Sequence, residues 1–355
     1  MSSIIQLDCP TPVIAVPARN EEGRLPRLAA ALARQTVLER SPAPLDVVIV
    51  LNNTTDRSRY ALEAAAEAFP RLRLSLVEVT FPPDRAHVGS ARRMAMDQAA
   101  ALAPAGVILT TDADAEPAET WVEANLRAFA QGADLVGGRI VGDPAEEARL
   151  GPAFLRRAGL HARYAALRDE LAALIDPLEH DPWPRHCDHT GGSLAVRTAV
   201  YRAVGGLDPA PYREDVAFVS RTRAAGFRLV HPLDVAVTVS ARTEGRAAGG
   251  MADCLSAWMR AEAEGRPALV ECPEAVERRL LRRKAIRDTG IMSRAQAAEA
   301  LGALGLPGAE GLSAAALIER HAGEALDAPA TVPATEAIAR LEARIALLRR
   351  RSDAA

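Results

Sequence analysis

Short apolar runs alternate with longer segments of helical periodicity over the first part of the chain. The runs predict β-strands, and the segments, in which apolar residues recur every three or four positions, predict amphipathic helices. Strands are expected at 13–16, 46–51, 72–79, 106–111 and 135–141, and helices at 24–35, 58–68, 90–102 and 117–129. Apolar strands separated by helices are typical of an α/β fold with a Rossmann-like, mostly parallel sheet that is flanked by helices.

From residue 151 to about 185 the pattern changes to helices, and residues 190–239 return to mixed elements. After about residue 265 helical patterns continue to the end of the chain. We therefore predict one α/β domain at residues 1–265 and a helical C-terminal region at residues 266–355. In the latter, Ile338, Leu341, Ile345 and Leu348 follow the a/d spacing of a heptad repeat. Two heptads rarely specify a coiled coil, so this spacing favours a helix packed on its own domain over self-association as a homodimer.

Composition and charge exclude several classes of protein. Hydrophobic residues make up 49% of the chain and charged residues 25%, as in ordinary globular proteins, and the net charge of −3 offers no basic excess for nucleic-acid binding. The only lysine, Lys284, lies in an arginine-rich helical stretch, so a phosphate-binding loop ending in Gly-Lys-Ser/Thr is absent. The four cysteines are scattered and no run of about 18 apolar residues exists, so we expect a reduced, cytoplasmic protein without a membrane span.

The strongest chemical signal is the pair Asp112 and Asp114, directly after the apolar strand at 106–111. Side chains alternate along a strand, so an extended backbone points both carboxylates the same way. Two clustered carboxylates are costly unless a cation or hydrogen-bond donors compensate them, and their hard oxygens suit Mg²⁺ or Mn²⁺. The alternative is a helix cap, in which Asp114 and Glu116 favour the helix that opens at Pro117.

Two helix starts carry further candidates. Gly89 and Ser90 open a helix that continues with Arg92 and Arg93. Small residues and an arginine at a helix start favour the binding of an anion. At least one of the two arginines is expected on the solvent-exposed face, and we take Arg92 as the partner of the anion. Glu214 and Asp215 begin another helix, where acids in the first turn ordinarily complement the helix dipole.

Five segments stand in one order: VIAVPARNEE, DVVIVLNNTTDRS, GSARRMAMDQA, VILTTDADAEP, and TGGSLAVRTAVYRAVGGLD followed by YRED. In this order they resemble the family 2 glycosyltransferases of the GT-A fold, over residues 12–246. The resemblance implies a metal-assisted, inverting transfer of a sugar from a nucleotide-sugar donor to an acceptor hydroxyl. It also implies a nucleotide-binding half at about 10–142 and an acceptor-side half at about 150–250.

The resemblance assigns roles on the donor side. Asp114 becomes the direct ligand of a divalent cation, Mg²⁺ or Mn²⁺, and Asp112 holds the ribose or a metal-bound water. Asn52 stands where the family usually has an aspartate facing the base, and this departure leaves the nucleotide open. The family resemblance alone favours a UDP-sugar. Other donor-binding candidates are Pro17, Arg19, Glu21 and, opposite the diphosphate, Arg92.

On the acceptor side, the resemblance makes Asp215 the general base and gives Glu214 a role in positioning the sugar or the acceptor. Gly191 and Gly192 would let their loop approach the sugar. The histidine that many relatives use as a further metal ligand is missing. Arg242 and Arg246 near that place could supply positive charge instead, or bind an acidic acceptor.

Two other functions remain open at this point. A sugar nucleotidyltransferase uses a related sheet, but it needs a glycine-rich loop bearing arginine or lysine after the first strand, which residues 17–23 do not provide. A non-catalytic nucleotide-sugar-binding protein would bind the donor without turnover. The intact acids at 112, 114, 214 and 215 argue against it, and the missing histidine argues mildly for it.

Overall fold

The computed structural model describes residues 10–246, 249–323 and 330–353. The chain forms two compact units. The first takes the residues up to Asp143, Cys187–Val219 and Arg228–Gly250, and the second takes Pro144–His186, Ser220–Phe227 and the residues from Met251 onward. This division differs from the predicted boundary at residue 265, which stays a prediction.

The first unit is built on strands. Its strands are β1 (Pro12–Ala18), β2 (Leu45–Asn52), β3 (Leu72–Val79), β4 (Val107–Thr111), β5 (Ala115–Pro117), β6 (Leu135–Gly137), β7 (Arg139–Gly142), β8 (Ser193–Arg197), β9 (Leu229–Val230) and β10 (Ala236–Val239). Its helices are α1 (Leu25–Ala33), α2 (Val37–Arg40), α3 (Ser58–Ala68), α4 (Val88–Leu102), α5 (Trp121–Ala130), α8 (Thr198–Ala203) and the first residues of α9 (Glu214–Ala224).

The second unit is mainly helical. Its helices are α6 (Pro144–Arg149), α7 (Pro152–Ile175), the end of α9, α10 (Met251–Ala263), α11 (Pro273–Asp288), α12 (Arg294–Ala303), α13 (Ala314–Ala322) and α14 (Ala334–Asp353), with a 3-10 turn at Thr289–Ile291. Its strands β11 (Leu269–Glu271) and β12 (Thr331–Pro333) pair with each other. None of the described helices has the length and apolar character needed to cross a membrane.

The predicted fold class is confirmed: an α/β architecture with a mostly parallel sheet, flanking helices and a helical C-terminal region. The main sheet has the strand order β3-β2-β1-β4-β8-β6-β9. Strands β1, β2, β3 and β4 run parallel, and β8 is antiparallel to both β4 and β6. The carboxyl ends of β1, β2 and β4 therefore meet at one edge, which is where ligands bind in sheets of this kind.

Strand β1 is apolar because both of its faces are buried. Ile14 and Val16 on β1 belong to the same core as Leu25, Leu28 and Leu32 on α1. Residues Val13 and Ala15 point to the other face and are equally buried. Helices cover both faces, so no polar position is left in the middle of β1.

Two predicted elements differ from the structure. The helix predicted from residue 117 begins at Trp121, because Ala115–Pro117 instead pairs with β10 in a second, three-stranded sheet. The strand predicted at 135–141 divides at Gly138, whose N–H donates to Ser193 O at 2.8 Å. A Cβ atom there would lie 1.9 Å from Ser193 Oγ, so this close crossing requires glycine.

The C-terminal helix packs on its own unit. Leu341 and Ile345 are buried in a core with Leu167 and Leu171 of α7, and Ile338 and Leu348 pack at its edge. This is the packing that the heptad spacing favours. Self-association as a homodimer stays a prediction.

Candidate active site

The edge formed by the carboxyl ends of β1, β2 and β4 gathers the polar candidates of the first unit. Pro17 lies near the end of β1 and pairs in register with Val50 of β2. Asn52 is the last residue of β2, and Asp112 directly follows β4. Because these strands are parallel, Pro17, Asn52 and Asp112 lie at the same side of the sheet.

Arg92 on α4 is the centre of this site. Its side chain is 3% exposed, and its Nη2 donates to Asp112 Oδ1 at 2.7 Å while its Nε donates to Glu214 Oε1 at 3.0 Å. Its Nη1 donates to Thr110 Oγ1 at 3.0 Å and to Gly191 O at 2.7 Å. One buried guanidinium therefore joins the acid after β4 to the acid that begins α9.

The charges around Arg92 stabilise its protonated form. Burial alone would lower the pKa of Arg92, but the carboxylates of Asp112, Glu214 and Asp215 raise it above its usual value. Removing one partner of such a buried cluster leaves charges uncompensated, which is far more costly than the cluster's own net contribution. Arg92 is thus a fixed structural cation that holds acids from two parts of the chain.

Asp215 is oriented by backbone groups. Its Oδ2 accepts from the N–H of Gly191 at 2.6 Å, and its Oδ1 accepts from the N–H of Val216 at 2.7 Å. Gly191 in turn gives its carbonyl to Arg92. Asp215, Glu214 and Asp112 consequently belong to one hydrogen-bonded cluster, as a shared active site requires.

The glycines at 191 and 192 serve close packing within the protein. A Cβ atom on Gly191 would lie 2.4 Å from Arg92 Cζ. A Cβ atom on Gly192 would lie 3.1 Å from Ile140 Cδ1 and 3.4 Å from Asp112 Oδ2. Gly89 likewise packs against Ala210, whose carbonyl oxygen would lie 2.0 Å from an added Cβ. The small size of Gly89 and Gly191 is thus used by the chain itself.

Asp114 lies beside Arg242 and Glu21. Arg242 Nη2 is 3.0 Å from Asp114 Oδ2, and the same guanidinium donates to both oxygens of Glu21 at 2.8 and 2.6 Å. Burial and then the negative charge of Asp112 raise the pKa of Asp114 to about 6, and the positive charge of Arg242 opposes this rise. Arg242 therefore supplies the nearest positive charge to Asp114 in the described chain.

The carboxylates of Asp112 and Asp114 suit a divalent cation whose remaining ligands would be substrate oxygens and water. Asp112 is 39% exposed and its Oδ2 has no partner among the described residues, because only Oδ1 is bound by Arg92. Within the described ranges, no group of three or more histidines, cysteines, aspartates or glutamates could hold a metal ion. Mg²⁺ commonly takes one or two carboxylates together with substrate phosphates and water, so the pair Asp112 and Asp114 meets that minimum.

The other candidates lie around this cluster with weaker contacts. Arg19 and Arg246 are exposed; Arg19 Nη1 donates to Ala86 O at 3.2 Å, and Arg246 Nε donates to Asn20 O at 3.3 Å. Asn52 is buried, and its Nδ2 donates to His87 O at 3.2 Å. Its Oδ1 has no hydrogen-bond partner in the part of the chain that the structure describes.

Sequence reasoning missed Thr110 and the contact between Arg242 and Glu21. Thr110 Oγ1 donates to Ala15 O at 2.9 Å and accepts from Arg92, so it ties β4 to β1 and to α4. A polar residue two positions before Asp112 on a buried strand was the available signal, since both side chains share one face. Arg242 and Glu21 are 221 positions apart, and nothing local in the sequence joins them.

Comparison with known proteins agrees with the resemblance. Residues 13–179 match the family model described as glycosyl transferase family 2. No curated protein sequence matches the chain.

Three of the solved structures to which the chain is similar are the following. A mannosyltransferase from Pyrobaculum calidifontis, in complex with GDP-Man and Mn²⁺, is 20% identical, with 95% of this chain and 81% of that chain covered and a TM-score of 0.46. S. aureus TarS 1–349 in complex with UDP is 15% identical, with coverage of 80% and 73% and a TM-score of 0.45. M. tuberculosis glucosyl-3-phosphoglycerate synthase is 17% identical, with coverage of 72% and 78% and a TM-score of 0.37.

Proposed function

Because residues 13–179 match the family model described as glycosyl transferase family 2, we propose that the protein transfers a sugar from a nucleotide-sugar donor to an acceptor hydroxyl. The observation that carries the proposal is the binding of Asp112 and Glu214 by the single side chain of Arg92. It joins the acids expected on the donor side to the helix start that carries Asp215.

The donor side is proposed to lie at the ends of β1, β2 and β4. Pro17, Arg19, Glu21 and Asn52 would line the nucleotide pocket, and a UDP-sugar is the donor that the family resemblance favours. Arg92 has four of its N–H contacts within the protein, so we assign it a positioning role instead of direct contact with the diphosphate.

Asp114 and Asp112 are proposed to hold a divalent cation, Mg²⁺ or Mn²⁺, on their free oxygens. When bound, such an ion offsets the negative charge that develops on the leaving diphosphate. Arg242 lies 3.0 Å from Asp114, so its guanidinium supplies part of the positive charge at this site. We also propose that Arg242 and Arg246 bind an acidic acceptor, because guanidinium groups suit carboxylate and phosphate groups.

Asp215 is proposed to be the general base of an inverting displacement. Its carboxylate takes the proton of the acceptor hydroxyl as that oxygen forms a bond to the anomeric carbon. The bond from the anomeric carbon to the diphosphate oxygen breaks on the opposite side, and its electron pair leaves with the nucleoside diphosphate. The N–H groups of Gly191 and Val216 fix the orientation of the base, and Glu214, held by Arg92, positions the sugar or acceptor.

The test is a donor screen followed by a product assay. We expect one nucleotide sugar to raise the melting temperature, because a ligand that binds only the folded state stabilises it. With that donor, release of nucleoside diphosphate identifies a transferase, whereas release of pyrophosphate from a nucleoside triphosphate and a sugar phosphate identifies a nucleotidyltransferase. Tight donor binding with neither transfer nor donor hydrolysis would contradict the proposal and identify a binding protein.

The Asp215→Asn variant tests the base. It should bind the donor with unchanged affinity and lose transfer, because the amide keeps the shape of the side chain and cannot accept the proton. Asp84→Asn, at an exposed loop position, is the matched control and should behave as the wild type. A cytoplasmic location likewise stays a proposal.

A further inference from the structure

A second cluster of charged side chains lies in the helical unit and contains none of the residues assigned above. Arg283 and Arg287 stand one turn apart on α11, and Arg223 on α9 faces the same cluster. Two acids compensate them: Asp176, which follows α7, and Glu319 on α13. Three guanidinium groups against two carboxylates leave one positive charge in excess.

Both acids are already committed to other groups. Arg287 donates to the two oxygens of Asp176, from Nε to Oδ1 and from Nη2 to Oδ2, each at 2.9 Å. Glu319 has Oε1 at 2.9 Å from Arg223 Nη2, and its Oε2 accepts from Ser220 Oγ at 3.0 Å. The two carboxylates are 4% and 8% exposed, so water cannot easily rearrange these pairs.

Arg283 is the arginine of the three without a close carboxylate partner. Its Nε is buried without a hydrogen-bond partner among the described residues, and the nearest carboxylate oxygen, Asp176 Oδ2, is 3.7 Å away. That separation is too long for a hydrogen bond. Burial, followed by the positive charge of Arg223, lowers the pKa of Arg283 to about 10. A guanidinium in this position lacks the anion that would satisfy it.

We propose that Arg283, together with Arg223 and Arg287, forms a binding site for the phosphate group of a small molecule. The side chains of the three arginines are 15%, 18% and 35% exposed, so the cluster is reachable from solvent while most of its surface is dry. Charge-assisted hydrogen bonds to phosphate are strong in such surroundings, and the planar fork of arginine matches phosphate oxygens. A tetrahedral oxyanion also presents oxygens in several directions, so it can meet more than one of these guanidinium groups.

The alternative is that Arg283 serves the stability of the helical unit through its contact with Asp176. The geometry opposes this reading, because Arg287 already satisfies both oxygens of Asp176 and would continue to do so without Arg283. A buried charge whose hydrogen-bonding groups are only partly satisfied destabilises a fold. Replacing it by an apolar side chain of similar length should therefore leave the empty protein at least as stable.

The test compares the full chain with Arg283→Met, using inorganic phosphate as the probe and chloride at equal ionic strength as the reference. Wild type should show a phosphate-dependent rise in melting temperature and saturable binding by calorimetry. In Arg283→Met the dissociation constant should rise at least tenfold, with an unchanged or higher melting temperature in phosphate-free buffer. Arg278→Gln, an exposed arginine on the same helix, is the matched control and should bind phosphate as the wild type does.

Several outcomes would overturn the proposal: no phosphate effect in wild type beyond that of chloride, equal binding by wild type and Arg283→Met, or equal binding of acetate and phosphate. A melting temperature of Arg283→Met well below wild type without phosphate would support the structural alternative. If Arg283→Met fails to fold, Arg283→Lys provides the measurement, since it keeps the charge and loses the fork. It should then bind phosphate at least tenfold more weakly, and unchanged binding would again contradict the site.

Discussion

The guanidinium of Arg92 fills the space that a side chain on Gly191 would need. A Cβ atom at position 191 would lie 2.4 Å from Arg92 Cζ and 2.5 Å from its Nη2, while Nη1 donates to the carbonyl of Gly191 at 2.7 Å. Since the N–H of the same glycine binds Asp215, a single residue without a side chain separates the buried cation from the proposed base.

Gly191→Ala should therefore lower both stability and transfer. The added methyl group must displace Arg92 or the loop, and such overpacking costs about 1–3 kcal/mol in a well-packed site. The measurement is chemical denaturation together with kcat for the donor that the screen identifies. Gly159→Ala is the control: nothing lies within 4 Å of an added Cβ at that position on α7, so its stability should be unchanged or higher.

Arg92→Lys should be strongly destabilising although it keeps the charge. A lysine ammonium cannot reach Asp112, Glu214, Thr110 and Gly191 at once, so buried polar groups lose their partners, at a cost of about 3–5 kcal/mol. Thermal and urea denaturation would measure it. Arg59→Lys is the matched substitution and should cost little, because Arg59 is 57% exposed and pairs with the exposed acids Glu63 and Glu78. Equal losses in the two variants would show that Arg92 is not the organising cation.

Asp114 should make stability depend on pH in the window between about 4 and 6. Its pKa rises from 3.8 to about 6 on folding, so the folded state holds more protons in this window and the free energy of unfolding falls as pH rises through it. Above about pH 6 the penalty is complete, on the order of 3 kcal/mol.

In Asp114→Asn this penalty should disappear. Measured with chelator present, the variant should be more stable than wild type at pH 7.5, and the difference should shrink towards zero near pH 4. The exposed substitution Asp84→Asn is the control and should leave the pH profile unchanged. An Asp114→Asn variant that is less stable than wild type at every pH would contradict the raised pKa.

Arg242→Gln should strengthen Mn²⁺ binding in the absence of donor. The guanidinium lies 3.0 Å from Asp114 and pairs with Glu21, so removing its charge makes the site more negative and should lower the dissociation constant at least tenfold. Calorimetry with Mn²⁺ alone measures this, and Arg246→Gln, whose described contact is a backbone carbonyl, is the control. Weaker binding in Arg242→Gln would mean that Arg242 orders the acids more than it repels the ion.

Most of the sheet could be predicted because local sequence patterns indicate its strands. The runs that became β1, β2 and β4 are mostly apolar and are followed by polar residues, so their existence and the placement of Asp112 followed from the sequence pattern alone. The short strand at Ala115–Pro117 could not be predicted, since its partner β10 lies more than a hundred residues away. The same limit applied to Arg242 and Glu21.

The contacts of Arg92 could not be predicted for a related reason. A helix start with arginine suggests an external anion, but here carboxylates of the chain itself reach that place from β4 and α9. Only the tertiary fold decides which anion an arginine meets. The positions of the acids, by contrast, could be predicted from the sequence, because Asp112 and Asp114 follow a strand and Glu214 and Asp215 begin a helix.

Asp112 offers an incoming ion only half of its carboxylate. With Oδ1 held by Arg92 at 2.7 Å, Oδ2 alone faces outward. Ca²⁺ readily accepts carboxylates through both oxygens and gathers six to eight ligands, whereas Mg²⁺ prefers single-oxygen contacts in a compact octahedron. The arginine behind the acid thereby biases this edge of the sheet towards the smaller ion.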